Sequence, residues 1–231
     1  MYRKNARDGQ GMIKWLLVRD VYKISRWPRN YFNYVFDIGA SIGVFSVIMR
    51  IYNPNAVLVA VEPGRDQFEC LKVNLDLLYA EIINKAIGSG EKMFLTLHKR
   101  DKGKYGCYVI ADSKVENSVE SYEVETVSFS EIFYDSGCKF DDKYCIKVDC
   151  EGGEKYIVED EKSVEIFKNA EHISFEIHFN AEKTAMKCWE EYSFYNDWVR
   201  SNFSESHKIE YYVSSRSGGY GHYCITKNGA I

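Results

Sequence analysis

Short apolar runs alternate along the chain with stretches that are apolar on one side only. Val35, Phe36 and Ile38 surround Asp37 in a run of strand length, Gly39 and Gly43 bracket a turn, and residues 44–51 are apolar at helical spacing. A second run, 56–61, ends in Glu62, and Pro63 stops it. Between 64 and 78 the apolar positions Phe68, Leu71, Val73, Leu75 and Leu78 sit among charges, which predicts a helix returning to the sheet. Residues 81–87 are expected as a third strand. Beyond a Gly88-Ser89-Gly90 turn, 92–98 and 105–110 alternate like a hairpin or flap around a solvated turn at 101–104. Residues 122–128 extend again, and 129–134 read as a short helix.

The strongest later strand is 144–148, followed by a carboxylate-rich turn from Asp149 to Glu154 that leads into a helix. Residues 172–178 form a fifth strand. A long helix over 182–203 carries Met186, Trp189, Tyr192, Tyr195, Trp198 and Val199, a stripe suited to core packing. The chain closes with strands at 208–213 and 222–227 around the glycine-rich stretch 214–221. This order predicts an α/β fold: a Rossmann-like, doubly wound, mostly parallel seven-stranded sheet whose last strand runs antiparallel. The 214–221 loop should then emerge at the carboxyl edge, with Arg216, Tyr220 and His222 as candidate acceptor contacts.

A strand that feeds a glycine turn and a helix N-terminus makes a cradle for a nucleotide-type ligand, and Glu62 stands where an open sheet offers a carboxylate to ribose hydroxyls. The glycines decide which ligand. A dinucleotide needs a middle glycine at its pyrophosphate, whereas Gly39-Ala40-Ser41-Ile42-Gly43 has none. An adenosine cofactor without a pyrophosphate, S-adenosylmethionine, would use Gly39 for close approach, Asp37 for its ammonium and Glu62 for its ribose.

With 231 residues, 45% apolar and 15% aromatic, one compact domain over 34–231 is expected. The preceding 1–33 segment holds eight Lys/Arg and two Asp, so the chain total of −4 leaves −10 for the rest. Within that basic arm Met12, Ile13, Trp15, Leu16, Leu17, Val18, Val21 and Tyr22 suit an amphipathic helix docked on the sheet. Two acids interrupt its basic residues, and no nucleic-acid role is expected. No stretch approaches the ~20 apolar residues of a membrane span and 1–7 lacks a signal-peptide core, so a cytoplasmic protein is expected. Seven cysteines without a C-x-x-C pair signal neither a disulfide framework nor a zinc site.

In order along the chain, DIGASIG (37–43), VEP (61–63), NKAIG (84–88), ETVSFSEIF (125–133), IKVDCEGGE (146–154) and SFEIH (174–178) resemble the FkbM-type methyltransferases. The K-x-D-x-E-G-x-E element at 147–154 is the most specific of these. Ser41 and Ser130 depart from the family's usual Asn and Asp. The resemblance implies a class I methyltransferase that uses S-adenosylmethionine, acting on a hydroxyl of a sugar, glycan, polyketide or similar small acceptor. It implies that Asp37, Gly39, Ala40, Ser41 and Gly43 surround the methionine part of the cofactor, with Glu62 and Pro63 at the ribose and Asn84, Lys85 and Ala86 near the adenine. The rival classes are a nucleotide-dependent oxidoreductase and a non-catalytic nucleotide-binding protein.

At the carboxyl edge, strand periodicity gathers Asp149, Glu151, Glu176 and His178 as the expected acceptor-side catalytic residues. His178, neutral near cytosolic pH, is the first candidate for general base, with Asp149 as its substitute. Lys147 in a central strand requires a carboxylate partner, for which Asp149 is at hand. The four acceptor-side residues could instead hold a divalent cation, but a carboxylate-rich rim needs none, and no metal ligand is assigned.

Overall fold

A computed structural model describes residues 14, 16, 19–89, 94–100, 108–110, 118–178, 185–213 and 220–230. After a 3-10 turn at Ile24–Arg26 come β1 (Tyr34–Ile38), α1 (Val44–Tyr52), β2 (Val57–Val61), α2 (Arg65–Leu75) and β3 (Glu81–Ile83). Strands β4 (Ala86–Ile87), β5 (Phe94–Arg100), β6 (Tyr108–Ile110) and β7 (Ser118–Val127) follow. After them come α3 (Phe129–Asp135), β8 (Tyr144–Val148), α4 (Glu154–Glu159), α5 (Glu161–Asn169), β9 (His172–His178), α6 (Ala185–Phe203), β10 (His207–Val213) and β11 (Tyr220–Lys227).

Seven strands form the main sheet in the order β10-β11-β9-β8-β1-β2-β3. All neighbours from β9 to β3 pair in parallel, and β11 runs antiparallel to both β9 and β10. Alternate residues of a strand face opposite sides of the sheet. In β1, Phe36 and Ile38 join Val59, Phe133, Ile146, Phe175 and Phe203 in one core, while Val35 faces Phe45, Ile48, Met49, Leu58 and Cys145 on the other side. The arm closes that second core, where Leu16, Tyr22, Ile24, Trp27 and Phe32 are buried.

The expected third strand divides. Residues 81–83 pair with β2, but the Asn84 side chain donates to Glu62 O (2.8 Å) and Pro63 O (3.3 Å), and the chain turns there. Residues 86–87 leave as β4 for a second sheet, ordered β4-β7-β5-β6, which contains the expected hairpin. The solvated turn at 101–104 and the loop 214–219 lie outside the described residues. Helix α3 starts with a capping box in which Ser128 and Glu131 satisfy each other's backbone. Ser130, one departure from the family pattern, donates to the Asp160 carboxylate at 2.8 Å, and that carboxylate in turn caps α5. Among the described residues no helix is long and apolar enough to cross a membrane.

Candidate active site

Strand register builds a polar stripe on the face that the arm covers. Asp37 of β1 lies opposite Lys147 of β8, Lys147 lies opposite Ser174 of β9, and Glu176 lies opposite His222 of β11. His178, two residues beyond Glu176, shares that face. The stripe runs to the carboxyl ends of the strands, where open α/β sheets bind ligands. A cleft of about 440 Å³ lined by Asn30, Tyr34, Asn53 and Asp142 sits instead at the amino ends of β1 and β2, away from these groups.

Lys147 is 3% exposed. Its Nζ donates to Gly39 O at 2.6 Å and lies 3.3 Å from Asp37 Oδ1 and 3.7 Å from Asp149 Oδ2. Burial alone would lower this ammonium's pKa, but Asp37 and Asp149 outweigh it and raise the value. Asp37 is fully buried, and its Oδ2 accepts from Ser46 Oγ at 2.6 Å. The carboxylate expected to meet a cofactor ammonium is thus engaged by Lys147 and Ser46 beneath the turn.

His178 stands among four carboxylates. Its Nδ1 is 2.9 Å from Glu154 Oε1; its Nε2 is 3.5 Å from both Asp149 Oδ1 and Glu176 Oε1 and 3.8 Å from Glu151 Oε1. Glu154, 1% exposed, is fixed by the backbone N–H groups of Gly152 (2.9 Å) and Cys150 (3.3 Å). The tight turn that permits this needs left-handed backbone, with Glu151 at φ 52° and Gly152 at φ 111°. Burial opposes charge on the imidazole, yet Glu151, Glu154 and Glu176 lift its pKa well above the ordinary value. That direction favours the protonated ring over the neutral, basic imidazole expected from the sequence.

The carboxylates divide. Burial would raise Asp149, but Lys147, His178 and a hydrogen bond from Tyr22 hold it below its usual range. Burial, reinforced by Asp149, pushes Glu176 up to about 7. One donor atom each from Asp149, Glu176 and His178 lies within 4.8 Å of the others, close enough to share an ion.

Beside this cluster lies the glycine turn. Gly39 has φ 79°, Ser41 φ 52° and Gly43 φ 83°. The Gly39 and Ala40 N–H groups donate to Val61 O, and Ser41 N donates to Glu62 Oε2 at 2.8 Å. Glu62 Oε1 accepts from Gly64 N at 2.7 Å, and burial pushes this carboxyl up to about 7 against those two amides. A Cβ on Gly39 would fall 1.8 Å from Asp149 O, so backbone fills the direction a side chain would take at this glycine. At Gly43 a Cβ would meet the flexible end of Leu71, Cδ1 at 2.8 Å, and the φ of 83° is the firmer demand for glycine.

The other expected cofactor residues have mixed positions. Ser41 lies in the turn and is tied to Glu62, and Asn84 donates to the carbonyls of Glu62 and Pro63. Ala40 packs with Ala60, Leu71 and Leu75, and Ala86 is buried with Leu95, Leu97 and Val124, so both side chains lie in apolar clusters. Lys85 directs its ammonium to Glu125 at 3.3 Å. His222, an expected acceptor contact, is 5% exposed, lies 2.7 Å from Ser174 Oγ and is pushed by burial down to about 4. Tyr22 was not foreseen here, and nothing in its local sequence signals a site. Glu154 was visible as the last acid of the 147–154 element.

A family model described as the methyltransferase FkbM domain matches residues 37–216. Among solved structures, a candidate rRNA methylase from Clostridium thermocellum aligns with TM-score 0.54 at 8% identity, covering 98% of each chain. Methyltransferase FkbM from Methylobacillus flagellatus KT aligns with TM-score 0.50 at 12% identity, over 85% of this chain and 44% of that protein. Likeness at such identities is likeness of fold. Comparison with curated proteins gives no match.

Proposed function

This chain belongs to the FkbM methyltransferase domain family, and from that premise we propose that it methylates a hydroxyl of a small acceptor, such as a sugar, glycan or polyketide, using S-adenosylmethionine. Its sheet is that of the class I methyltransferases. The observation that carries the reading is the junction of two sites at one sheet edge: the turn with Glu62 on one side, and the carboxylates around His178 on the other, linked by Lys147 between Gly39 O and Asp149. The donor chemistry suits this cofactor. After two amide bonds the Glu62 carboxylate still has lone pairs for a ribose diol, and no glycine makes room for a pyrophosphate.

When bound, S-adenosylmethionine supplies an electrophilic methyl group on its sulfonium. Glu176, poised near neutrality, takes the proton of the acceptor hydroxyl as the oxygen becomes a nucleophile. His178, oriented by Glu154, stands between Asp149 and Glu176, and its protonated ring offsets part of their charge. Asp149 stays ionised and acts as a fixed charge.

The test is formation of S-adenosylhomocysteine from S-adenosylmethionine with a panel of neutral sugars, amino sugars, phenols and a short RNA. The reading expects turnover with a hydroxylated small molecule; turnover with RNA alone would replace the acceptor class. For the cofactor side, Glu62→Ala should weaken S-adenosylhomocysteine binding by ~1.5–3 kcal/mol, the scale of hydrogen bonds to a charged group, or roughly 10–150-fold in Kd. Calorimetric titration of a folded variant with wild-type affinity would remove Glu62 from the cofactor site.

A further inference from the structure

The segment ahead of β1 lies outside the 37–216 match, yet it reaches the centre of the cluster. It is pinned at several points. Trp27 stacks on His172 at 5.5 Å, Arg26 pairs with Glu210 at 2.9 Å, Asn30 N donates to Tyr52 O at 2.8 Å, and the Tyr31 and Phe32 N–H groups both donate to Asn53 Oδ1. Tyr22, 7% exposed, is thereby held edge-on to Phe45 and His222, with Lys147 Nζ 5.6 Å from its ring centre. Its hydroxyl donates to Asp149 Oδ2 at 2.5 Å, across 127 positions of sequence.

That bond decides which way Asp149 points. Oδ2 takes the Tyr22 hydroxyl and faces Lys147, which leaves Oδ1 toward His178 Nε2. A carboxylate in such a site stays charged only while donors hold it, and its rotamer is fixed only while they are directional. We infer that Tyr22 is a positioning residue of the methyl-transfer site: its hydroxyl locks Asp149 as an oriented anion beside His178 and Glu176, so the acceptor side is complete only with the N-terminal segment seated. The inference rests on the proposed role of the Asp149–His178–Glu176 cluster in methyl transfer. Tyr22 itself touches no reacting atom and acts through Asp149.

A double-mutant cycle of Tyr22→Phe and Asp149→Asn tests it, with turnover followed as S-adenosylhomocysteine formed from the best acceptor of the panel above. Tyr22→Phe removes one oxygen from a packed ring, so the fold and its melting temperature should be nearly preserved. Its kcat should fall roughly 10–100-fold, the scale of a hydrogen bond to a charged group, with S-adenosylhomocysteine Kd and cofactor KM close to wild type. On the Asp149→Asn background the same substitution should cost nothing further, because residues acting as a unit are non-additive. Wild-type kcat in Tyr22→Phe, or losses that simply add, would overturn the inference while leaving the site reading intact. Wild-type kcat in Asp149→Asn would overturn both.

Discussion

Glu176→Gln should lower kcat on the order of 10²–10⁴-fold, the loss typical of a missing general base, while S-adenosylhomocysteine affinity stays near wild type. Glutamine keeps the shape and the strand pairing opposite His222 but cannot receive a proton. The pH profile separates this from misfolding. With the Glu176 carboxyl pushed up to about 7 in the free protein, its basic form is scarce well below that pH and dominant above it, so wild-type kcat/KM should rise through an inflection near 7. That acidic limb should vanish in the variant. A Glu176→Gln enzyme with wild-type kcat and an unchanged limb would remove Glu176 as base. His178→Ala is the weaker test, because it also deprives Glu154, Asp149 and Glu176 of their shared positive neighbour.

Gly39→Val should destabilise the domain by ~4 kcal/mol or more, at the upper end of single-substitution effects. Two causes coincide: a β-branched side chain at φ 79°, and a Cβ at 1.8 Å from the Asp149 carbonyl, which is backbone and cannot swing aside. Separating β1 from the start of the 149–154 turn would also displace Lys147 and Asp149. Gly43→Ala is the control: it shares the strained backbone, at φ 83°, but its clash is with the flexible ends of Leu71 and Leu75 and should cost less. Urea unfolding of the two variants measures the difference. Equal midpoints would show that the close approach of Gly39 to Asp149 does not govern stability.

Most of the sheet was legible because each strand is a short apolar run with its own boundary. Tyr34–Ile38 and Tyr144–Val148 carry one buried polar residue each, Asp37 and Lys147, and these oppose each other in register. The 81–87 run was misread as one strand because the Asn84 side chain, not a proline or glycine, turns the chain. Strand periodicity put Asp149, Glu176 and His178 at one edge of the sheet, and the structure brings one polar atom of each within 4.8 Å of the others. Their protonation was not legible: a histidine's pKa depends on neighbours such as Glu154, whose approach requires the left-handed turn at Glu151. Tyr22 was hidden for a different reason. A contact across 127 residues leaves no local pattern, and in the arm a tyrosine reads as one more apolar position.

Calorimetric titration of the purified protein with S-adenosylmethionine, S-adenosylhomocysteine and NADH tests the central claim most directly. The turn without a middle glycine, with Glu62 at its side, predicts one-to-one binding of S-adenosylmethionine and of S-adenosylhomocysteine, and no heat with NADH. Saturable binding of NADH with none of either adenosyl ligand would contradict it.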